Sequence, residues 1–285
     1  SRNGRYCPAT GSHQVGRVGA GRPPPVTGTG RPSLTVSLPA LTRLVEIATV
    51  AGAAIMLHYG QTGARLKADG SPVTEADLEA HHIICDALAL WDPSVPVVSE
   101  ESGVPPWAER EAWRRFWLVD PLDGTKEFLK GNGEFTVNIA LIEDGRPVMG
   151  VVVAPALGRT YSAGSGLGCW RWSGDGPAER LQTTSPDPAR ELRVVGSRSH
   201  GGDADLALLG DARVSARVFM GSSLKFCCLA DGTADVYPRS GPIMEWDVAA
   251  GDCVFRYSGA PEPRLSPLRY NGLDMRLAGF VVGLL

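Results

Sequence analysis

The alternation of apolar and polar positions predicts that the first regular elements of the chain are helices. Apolar residues recur at helical spacing in LTRLVEIATVAGAAIMLHY, after Pro39, and again in VTEADLEAHHIICDALALW. Proline suits the first turn of the first segment. Thr74 can cap the second segment, with Asp77 three residues on. The two segments therefore predict two helices, each with one buried face.

Short apolar runs predict strands in the middle of the chain. Residues 96–98 and the run RFWLVD, which ends at Asp120, each predict one strand. FTVNIALIEDGRPVMGVVVAP predicts two strands joined by a Glu-Asp-Gly turn, and TYSAGSGLGCWRW continues with short strands and glycine loops.

The last third of the chain alternates between strand and helix patterns. After a polar stretch at 184–189, it predicts strands at 192–195, 213–219 and 234–237, a helix at 223–230 and a helix from Asp247. This alternation indicates α/β structure. The proline-rich C-terminal stretch predicts an irregular last strand.

These patterns divide the chain into three parts. Residues 1–36 are predicted to be a disordered extension, since the first 33 are rich in Gly and Pro and lack apolar periodicity. Residues 37–185 form a predicted α+β half and residues 186–285 a predicted α/β half. A site is expected where the halves meet.

Composition and charge exclude several classes of protein. The 285 residues are 43% hydrophobic and 21% charged, with a net charge of -3, which argues against a general nucleic-acid or anionic-membrane binder. Without the five arginines of the first 33 residues, 23 basic residues face 31 acidic ones, a net charge of -8. No apolar run is long enough to predict a membrane span. The six cysteines lack a CxxC motif, which predicts reduced thiols in a cytosolic protein with a small-molecule partner.

Carboxylates at the ends of predicted elements are the candidate chemistry. They are Asp77, Glu100, Asp120, Asp123 and Asp247. Taken singly they have ordinary explanations, such as helix capping for Asp77 and Asp247 or a solvated pair for Glu100 and Glu101. Taken together, an oxygen donor set without His or Cys favours a hard cation, Mg2+ before Mn2+ or Ca2+.

The stretch DPLDGT predicts how such a site would handle phosphate. Asp120 ends a strand, Pro121 cannot extend the ladder, and Asp123 turns back to the same side. Gly124 and Thr125 are then predicted to open a short helix whose free amides face an anion. Two cations about 3.5 to 4 Å apart would support hydrolysis of a phosphate monoester. The chain has no GxxxxGK[ST] loop, so ATP-driven transfer is not expected.

DPLDGT together with the later WDVAAGD resembles the two-part signature of the inositol monophosphatase superfamily. The stretches SPVTEAD, LVDPLDGTKEFLKGNGEFTVNIALI, GSRSH and GSSLKFCCLADGTADVYPR resemble its bacterial 3'(2'),5'-bisphosphate nucleotidase branch. Lys126 and Glu127 stand where inositol monophosphatases usually carry a variable residue and Asn. The resemblance implies an α/β (α+β) sugar-phosphatase fold, layered α/β/α/β/α, with the metal site between two halves.

The resemblance also implies roles for individual residues. Two to three Mg2+ ions would be bound by Glu100, Asp120, Asp123, Asp247 and the backbone carbonyl of Leu122. The implied catalytic residues are Asp77, Glu100 and Thr125, where Asp77 holds a further metal or helps activate the water. The implied substrate-binding residues are Thr125, His200, Ser222, Lys225, Arg239 and Asp247. His81 and His82 are expected to be a helix-surface pair without function, and Trp246 to serve packing.

The activity implied is Mg2+-dependent hydrolysis of the 3'-phosphate of adenosine 3',5'-bisphosphate to AMP and phosphate, in sulfur assimilation and nucleotide recycling. The resemblance also implies inhibition by lithium and a cytoplasmic location, and it leaves peripheral contact with the inner membrane and the oligomeric state open. An inositol monophosphatase or related sugar phosphatase is the nearest alternative. A binding protein that senses metal or nucleotide with the same pocket is an alternative of a different class.

Overall fold

The structure is a computed structural model that describes residues 34–61, 63–67, 72–183, 190–198, 202–259 and 264–283. The predicted extension lies outside the described residues up to position 33. Its last positions are described, and there Leu34 is buried and its N–H donates to Asp92 Oδ2 at 3.2 Å. The division into an extension and two halves stays a prediction.

Two long helices confirm the first two predicted elements. Helix α1 spans Leu38–His58 and helix α2 spans Glu75–Trp91, and a small hairpin of β1 (Arg65–Leu66) and β2 (Pro72–Val73) lies between them. The Ser37 hydroxyl accepts the Ala40 N–H at 3.3 Å at the start of α1. A capping box of Thr74 and Asp77 begins α2. The two helices pack against each other through their apolar faces.

Helix α1 is long and apolar enough to cross a membrane by length and composition alone. Half of its apolar window is buried inside the protein, where it packs on α2 and on the larger sheet. A core helix of a water-soluble protein passes the same test, so this helix is weak evidence for a membrane span.

Within the described ranges, seven strands form the larger sheet in sequence order. The first pair is parallel and every later pair is antiparallel. The strands are β3 (Val97–Ser99), β4 (Arg115–Asp123), β5 (Thr136–Glu143), β6 (Arg146–Ala154), β7 (Arg159–Gly164), β8 (Gly168–Ser173) and β9 (Glu179–Leu181). Helix α3 (Trp107–Arg110) precedes β4, and helix α4 (Thr125–Lys130) follows it.

The predicted end of a strand at Asp120 is wrong. Asp120 pairs with Asn138, the register then shifts, and pairing resumes where Asp123 lies opposite Thr136. Pro121 has no N–H to donate, yet a proline is tolerated where a ladder is irregular. The irregularity therefore lies inside β4 and leaves both aspartates on the same strand.

A smaller sheet is built from the last third of the chain, in the order β11-β10-β12-β15. Its first three strands are parallel and β15 is antiparallel. The helices and strands of this part of the chain are β10 (Leu192–Gly196), α5 (Asp203–Ala207), β11 (Val214–Phe219), α6 (Leu224–Ala230), β12 (Val236–Arg239), β13 (Ile243–Met244), α7 (Ala249–Tyr257), β14 (Arg276–Leu277) and β15 (Phe280–Gly283). Strands β13 and β14 pair with each other and form a separate two-stranded sheet. The strands predicted at 192–195, 213–219 and 234–237 and the helix predicted at 223–230 are confirmed to within about two residues, whereas α5, β13 and β14 were not predicted.

Two predicted details of this region differ from the structure. The helix predicted from Asp247 begins instead at Ala249, and Asp247 ends a 3-10 turn that precedes it. The last strand, β15, pairs regularly with β12, and the irregular part is residues 264–275 before it. Pro267 lies in that stretch and has no N–H to donate to a ladder.

The layers stack as helices, sheet, helices, sheet and helix. Side chains alternate along β4, so Trp117 and Val119 face α1 and α2 while Phe116 and Leu118 belong to the core around α6 and α7. Helix α6 also contacts β10 and β12 of the smaller sheet, whose β12 contacts α5. This arrangement confirms the predicted α/β/α/β/α layering.

Asp235 anchors the start of the smaller sheet through two arginines. Its side chain is 2% exposed and accepts from Arg190 Nη2 at 2.6 Å and from Arg193 Nη2 at 2.8 Å. Burial by itself would raise the pKa of Asp235, but the hydrogen bonds and charges of Arg193 and Arg190 lower it overall. A carboxylate with a lowered pKa stabilises the fold above its unfolded pKa, and this contribution is lost as the pH falls through the folded pKa.

We therefore expect Asp235→Asn to lower the free energy of unfolding by about 2 kcal/mol at pH 7, because a charge-assisted network is lost. The deficit should shrink at pH 3, where the wild-type carboxylate begins to take up a proton. Urea denaturation at both pH values measures this, with Asp211→Asn, an exposed acid of the same region, as the control. An equal deficit at both pH values would contradict the electrostatic explanation.

Candidate active site

Three of the predicted carboxylates meet at the edge of the larger sheet. Glu100 begins a 3-10 turn directly after β3, Asp120 lies in β4, and Asp247 ends the 3-10 turn before α7. One carboxylate oxygen from each lies within 4.8 Å of the others. Asp120 is only 1% exposed. The structure thus brings together residues that are far apart in sequence.

The cluster is electrostatically strained without a cation. Burial raises the pKa of Asp120 well above its usual value, and the charges of Glu100, Asp123 and Asp247 raise it further. Burial likewise raises the pKa of Asp247, followed by the charges of Asp123 and Glu100. Carboxylates that disfavour each other's ionised form are a donor set for a divalent cation, since the ion would neutralise their charge.

Asp123 lies beside this cluster with more partners. Its Oδ2 accepts from Asn138 Nδ2 at 3.2 Å. Burial raises the pKa of Asp123 to about 6, opposed by the Lys225 charge and by hydrogen bonds from Asn138 and the Ser223 N–H. Asp123 therefore lies between the acidic cluster and a positively charged neighbour.

Asp77 joins the site from the start of α2. Its Oδ2 accepts from the Thr74 N–H at 2.7 Å and from Thr74 Oγ1 at 2.5 Å. Its Oδ1 accepts from Thr125 Oγ1 at 3.3 Å. Burial raises the pKa of Asp77, which the hydrogen bonds from Thr74 counteract. The capping role is confirmed, and the role of Asp77 in the site stays a prediction.

The end of β4 and the start of α4 carry the remaining predicted residues of the DPLDGT stretch. The Leu122 N–H donates to Asp120 Oδ1 at 3.1 Å, and the Leu122 carbonyl lies 3.5 Å from Thr125 Oγ1. Gly124 precedes α4 with φ of 91°, a left-handed conformation that favours glycine. The predicted short helix at Thr125 is confirmed.

Lys67 is a residue of the site that sequence reasoning missed. Its Nζ donates to Glu100 Oε1 at 2.6 Å and to Glu101 Oε1 at 2.7 Å. Burial alone would lower the pKa of Lys67, but the hydrogen bonds to both glutamates raise it overall. No local pattern distinguishes this lysine from a solvated one, so only the structure reveals the contact.

A cavity of about 160 Å³ opens beside the carboxylates. Its lining includes Asp123, Asp247, Ser222, Lys225 and Arg239. Lys126 and Glu127, the pair that distinguishes this DGT motif, also line it. The cavity therefore has both carboxylates and two cationic side chains, Lys225 and Arg239, in its lining.

The two cationic side chains of the lining, Lys225 and Arg239, donate hydrogen bonds to backbone carbonyls. Lys225 is 7% exposed, and its Nζ donates to the Ser222 carbonyl at 2.6 Å. Arg239 Nε donates to the Gly241 carbonyl at 3.1 Å and Nη2 to the Pro242 carbonyl at 3.1 Å. Ser222 has a φ of 47°, and its buried Oγ has no hydrogen-bond partner among the described residues. A buried hydroxyl without a partner in a native structure needs an explanation, and this one belongs to a residue that lines the cavity.

Three further predicted residues have different outcomes. His200 lies outside the described residues. The expected surface placement of His81 is wrong, since it is half-buried with Nδ1 2.8 Å from Ser99 Oγ, whereas His82 is exposed. His81 lies on the side of α2 that faces β3. The helical periodicity of the sequence did not show which of the two histidines lies on that side. Trp246 is 7% exposed within the core, which confirms its packing role.

Sequence reasoning also missed a buried hydrogen-bond network next to Asp247. Glu245 accepts the N–H groups of Asn271 at 2.8 Å and Gly272 at 2.7 Å. Arg110, with no exposed surface, donates to Asn271 Oδ1 at 2.8 Å and to the Gly272 carbonyl at 2.8 Å. The C-terminal segment is thereby tied to the turn that carries Asp247.

The sequence model of the Inositol monophosphatase family matches residues 38–265, which include all the carboxylates of the site. The chain belongs to the inositol monophosphatase family. This family is metal-dependent, and the acidic cluster of this member provides oxygen donors that suit a divalent cation.

The relatives of this family member include curated and solved proteins named CysQ. The 3'(2'),5'-bisphosphate nucleotidase CysQ of Escherichia coli (strain K12) is 48% identical over 228 residues, covering 77% of this chain and 88% of the relative. The protein of that name from Aggregatibacter actinomycetemcomitans is 35% identical over 258 residues, covering 89% and 95%. The crystal structure of CysQ from Bacteroides thetaiotaomicron has a TM-score of 0.71 and 38% identity, covering 86% of this chain and 96% of that one.

Proposed function

We propose that the protein hydrolyses the 3'-phosphate of adenosine 3',5'-bisphosphate, giving AMP and phosphate, in sulfur assimilation and nucleotide recycling. The observation that carries the proposal is the cavity in which the acidic cluster meets Lys225, Arg239 and the unpartnered Ser222 hydroxyl. A substrate with two phosphate groups needs a cation at one end and cationic or hydroxyl donors at the other. The names of the relatives at 46–48% identity support the same assignment.

The cation is proposed to be Mg2+, with two to three ions bound. Glu100, Asp120, Asp123, Asp247 and the backbone carbonyl of Leu122 would hold them, because hard oxygen donors without sulfur or imidazole suit this ion. Bound there, the ions would lower the pKa of a water and neutralise the phosphoryl oxygens.

Asp77 and Thr125 are proposed to orient the attacking water. The hydrogen bond from Thr125 Oγ1 to Asp77 Oδ1 leaves the Thr125 oxygen free to accept from a water, and Asp77, with its raised pKa, is suited to take up a proton. The water oxygen bonds to phosphorus, the bond between phosphorus and the 3'-oxygen breaks, and that oxygen takes up a proton. Glu100 is proposed to help orient the same water.

The second phosphate is proposed to lie against Ser222, Lys225 and Arg239. Lys225 is held by two carbonyls, at 2.6 Å from Ser222 and 3.5 Å from Met220, so its charge is oriented before a ligand arrives. His200, which lies outside the described residues, is proposed to contribute by its position in GSRSH. The ion pairs formed would be charge-assisted and partly buried, which makes them strong.

Two alternatives make different predictions in one experiment. An inositol or sugar phosphatase would share the metal site, but this chain is only 25% identical over its match to the inositol monophosphatase of Thermotoga maritima. A sensor would bind the nucleotide without releasing phosphate. The test is phosphate release from adenosine 3',5'-bisphosphate and from inositol 1-phosphate, side by side, with Mg2+ and then with chelator.

We expect the bisphosphate to be hydrolysed far faster and the chelator to abolish release. Faster release from inositol 1-phosphate would overturn the substrate and keep the metal site. Tight nucleotide binding with no phosphate release would favour the sensor.

Arg239→Ala is expected to lower kcat/KM for the bisphosphate by about 100-fold and for inositol 1-phosphate by less than about threefold. The reason is that Arg239 lines the cavity without belonging to the carboxylate cluster, so it is proposed to contact the second phosphate and not the one that is hydrolysed. Steady-state kinetics on both substrates measure the split, with Arg276→Ala, an exposed arginine, as the control. Equal losses on both substrates would contradict this role.

Other properties are proposed on the resemblance. Inhibition by lithium is expected to accompany Mg2+ dependence. A cytoplasmic location is proposed, in agreement with the enzyme class of the relatives. Peripheral contact with the inner membrane and the oligomeric state stay open to measurement.

A further inference from the structure

Glu134 ties together three segments that surround the cavity. It lies between α4 and β5, in the part of the chain that carries the metal site. Its Oε1 accepts from Arg198 Nη2 at 2.6 Å and its Oε2 from Arg198 Nε at 2.8 Å. The same Oε2 accepts the N–H of Gly221 at 2.9 Å. Arg198 follows β10 and Gly221 follows β11, so both partners belong to the smaller sheet.

Gly221 fits closely against this carboxylate and its neighbours. A Cβ at this position would lie 2.6 Å from the Glu134 carbonyl oxygen and 3.0 Å from Glu127 Cγ. A side chain cannot occupy that space without moving the backbone. The loop from β11 is therefore pressed against the α4 loop at one point and is held there by the Glu134 carboxylate.

The next residue is Ser222, and hydrogen bonds fix the backbone on both sides of its Cα. Its preceding N–H, that of Gly221, is bound by Glu134, and its own carbonyl is bound by Lys225 Nζ at 2.6 Å. Its φ of 47° is unfavourable for a residue with a side chain and persists only where the surroundings hold it. Its hydroxyl is one of the buried side-chain atoms that have no hydrogen-bond partner in the described part of the chain, and Ser222 lines the cavity.

We propose that Glu134 and Arg198 are a positioning pair that holds the Ser222 hydroxyl toward the cavity and thereby sets the preference for a nucleotide with two phosphates. This proposal rests on the proposed function, because it assigns Ser222 to the second phosphate. Neither Glu134 nor Arg198 touches substrate; each acts through Gly221. The Arg198 hydrogen bonds lower the pKa of Glu134, so the pair is ionised near neutral pH.

The charge of Glu134 also explains why Arg198 is needed. Glu134 stands close to a site for an anionic ligand, and a lone carboxylate there would repel phosphate. The bidentate guanidinium neutralises it and fixes its orientation, leaving one lone pair of Oε2 directed at Gly221. The pair is half exposed on the Arg198 side and 12% exposed on the Glu134 side.

The test is steady-state kinetics of Glu134→Ala and Arg198→Gln with adenosine 3',5'-bisphosphate and inositol 1-phosphate. Glu134→Ala is expected to raise KM for the bisphosphate about tenfold with kcat within about twofold, because the metal site is untouched. Arg198→Gln is expected to raise the same KM about threefold. Values for inositol 1-phosphate should change by less than about twofold.

A double-mutant cycle with Ser222→Ala separates positioning from general damage. If the pair acts through the Ser222 hydroxyl, Glu134→Ala should have less than about a twofold further effect in the Ser222→Ala background. The matched control is Asp144→Asn, which breaks another bidentate pair, with Arg114 at 2.8 and 2.9 Å, far from the cavity lining. It should change neither constant.

The outcomes distinguish this proposal from the proposed function. If wild-type protein does not hydrolyse the bisphosphate, both fall. If it does, and Glu134→Ala has wild-type KM or its effect multiplies with that of Ser222→Ala, only the positioning pair is overturned. If Glu134→Ala does not fold, Arg198→Gln, which keeps the Gly221 hydrogen bond, decides by the same readout.

Discussion

Asp120→Asn is expected to lower turnover by at least about 1000-fold while making the metal-free protein more stable. Asp120 is buried among other carboxylates, so its loss removes an oxygen donor that a divalent cation needs, and several kcal/mol of transition-state stabilisation with it. The same change relieves burial of a charge and like-charge repulsion, which should raise the free energy of unfolding by about 1 to 2 kcal/mol.

Phosphate release and urea denaturation, with and without Mg2+, measure both effects. The asparagine oxygen can still accept the Leu122 N–H, so local backbone structure should survive. Mg2+ should stabilise the wild-type protein and have little effect on the variant. Asp175→Asn, an exposed acid in the turn after β8, is the control. Full turnover of Asp120→Asn with normal Mg2+ dependence would eliminate the metal assignment.

Gly221→Ala is expected to damage both folding and bisphosphate hydrolysis. Its new methyl group would lie 2.6 Å from the Glu134 carbonyl oxygen, which is backbone and cannot rotate away. We expect the free energy of unfolding to fall by about 2 to 4 kcal/mol and bisphosphate hydrolysis to fall by about 100-fold, since the loop that carries Ser222 must move.

The matched control is Gly196→Ala at the end of β10, where a Cβ would meet no atom within 4 Å. Urea denaturation and phosphate release for the two variants measure the difference. If both alanine variants are equally stable and equally active, the close contact between the two loops does not matter for folding or catalysis.

Much of the fold could be predicted because its helices and strands carry strong periodicity. The apolar face of α1 and the capping box of Thr74 and Asp77 are local signals, and each local signal was confirmed. The end of β4 was misplaced because a proline usually stops a ladder, whereas here the opposite strand resumes pairing at Asp123. Local rules cannot foresee how a neighbouring strand absorbs an irregularity.

The candidate site was only partly predictable. The carboxylates were recognisable because they end predicted elements in a specific motif, and the structure places Glu100, Asp120 and Asp247 within 4.8 Å. Lys67 was missed, since a lysine in a loop resembles a solvated one until Glu100 and Glu101 are placed beside it. The half-buried position of His81 was missed for the same reason, as it depends on where β3 lies against α2.

The sequence by itself determined the family, the layered fold class and the identity of the acidic residues, because these follow from periodicity and from motifs only a few residues long. Only the tertiary structure decided which distant residues meet, such as Arg198 with Glu134, 64 positions apart, or Arg110 with Asn271, 161 positions apart. Such contacts depend on how the helices and sheets pack against one another around the cavity. This packing is determined by whole helices and strands, and no short stretch of sequence encodes it.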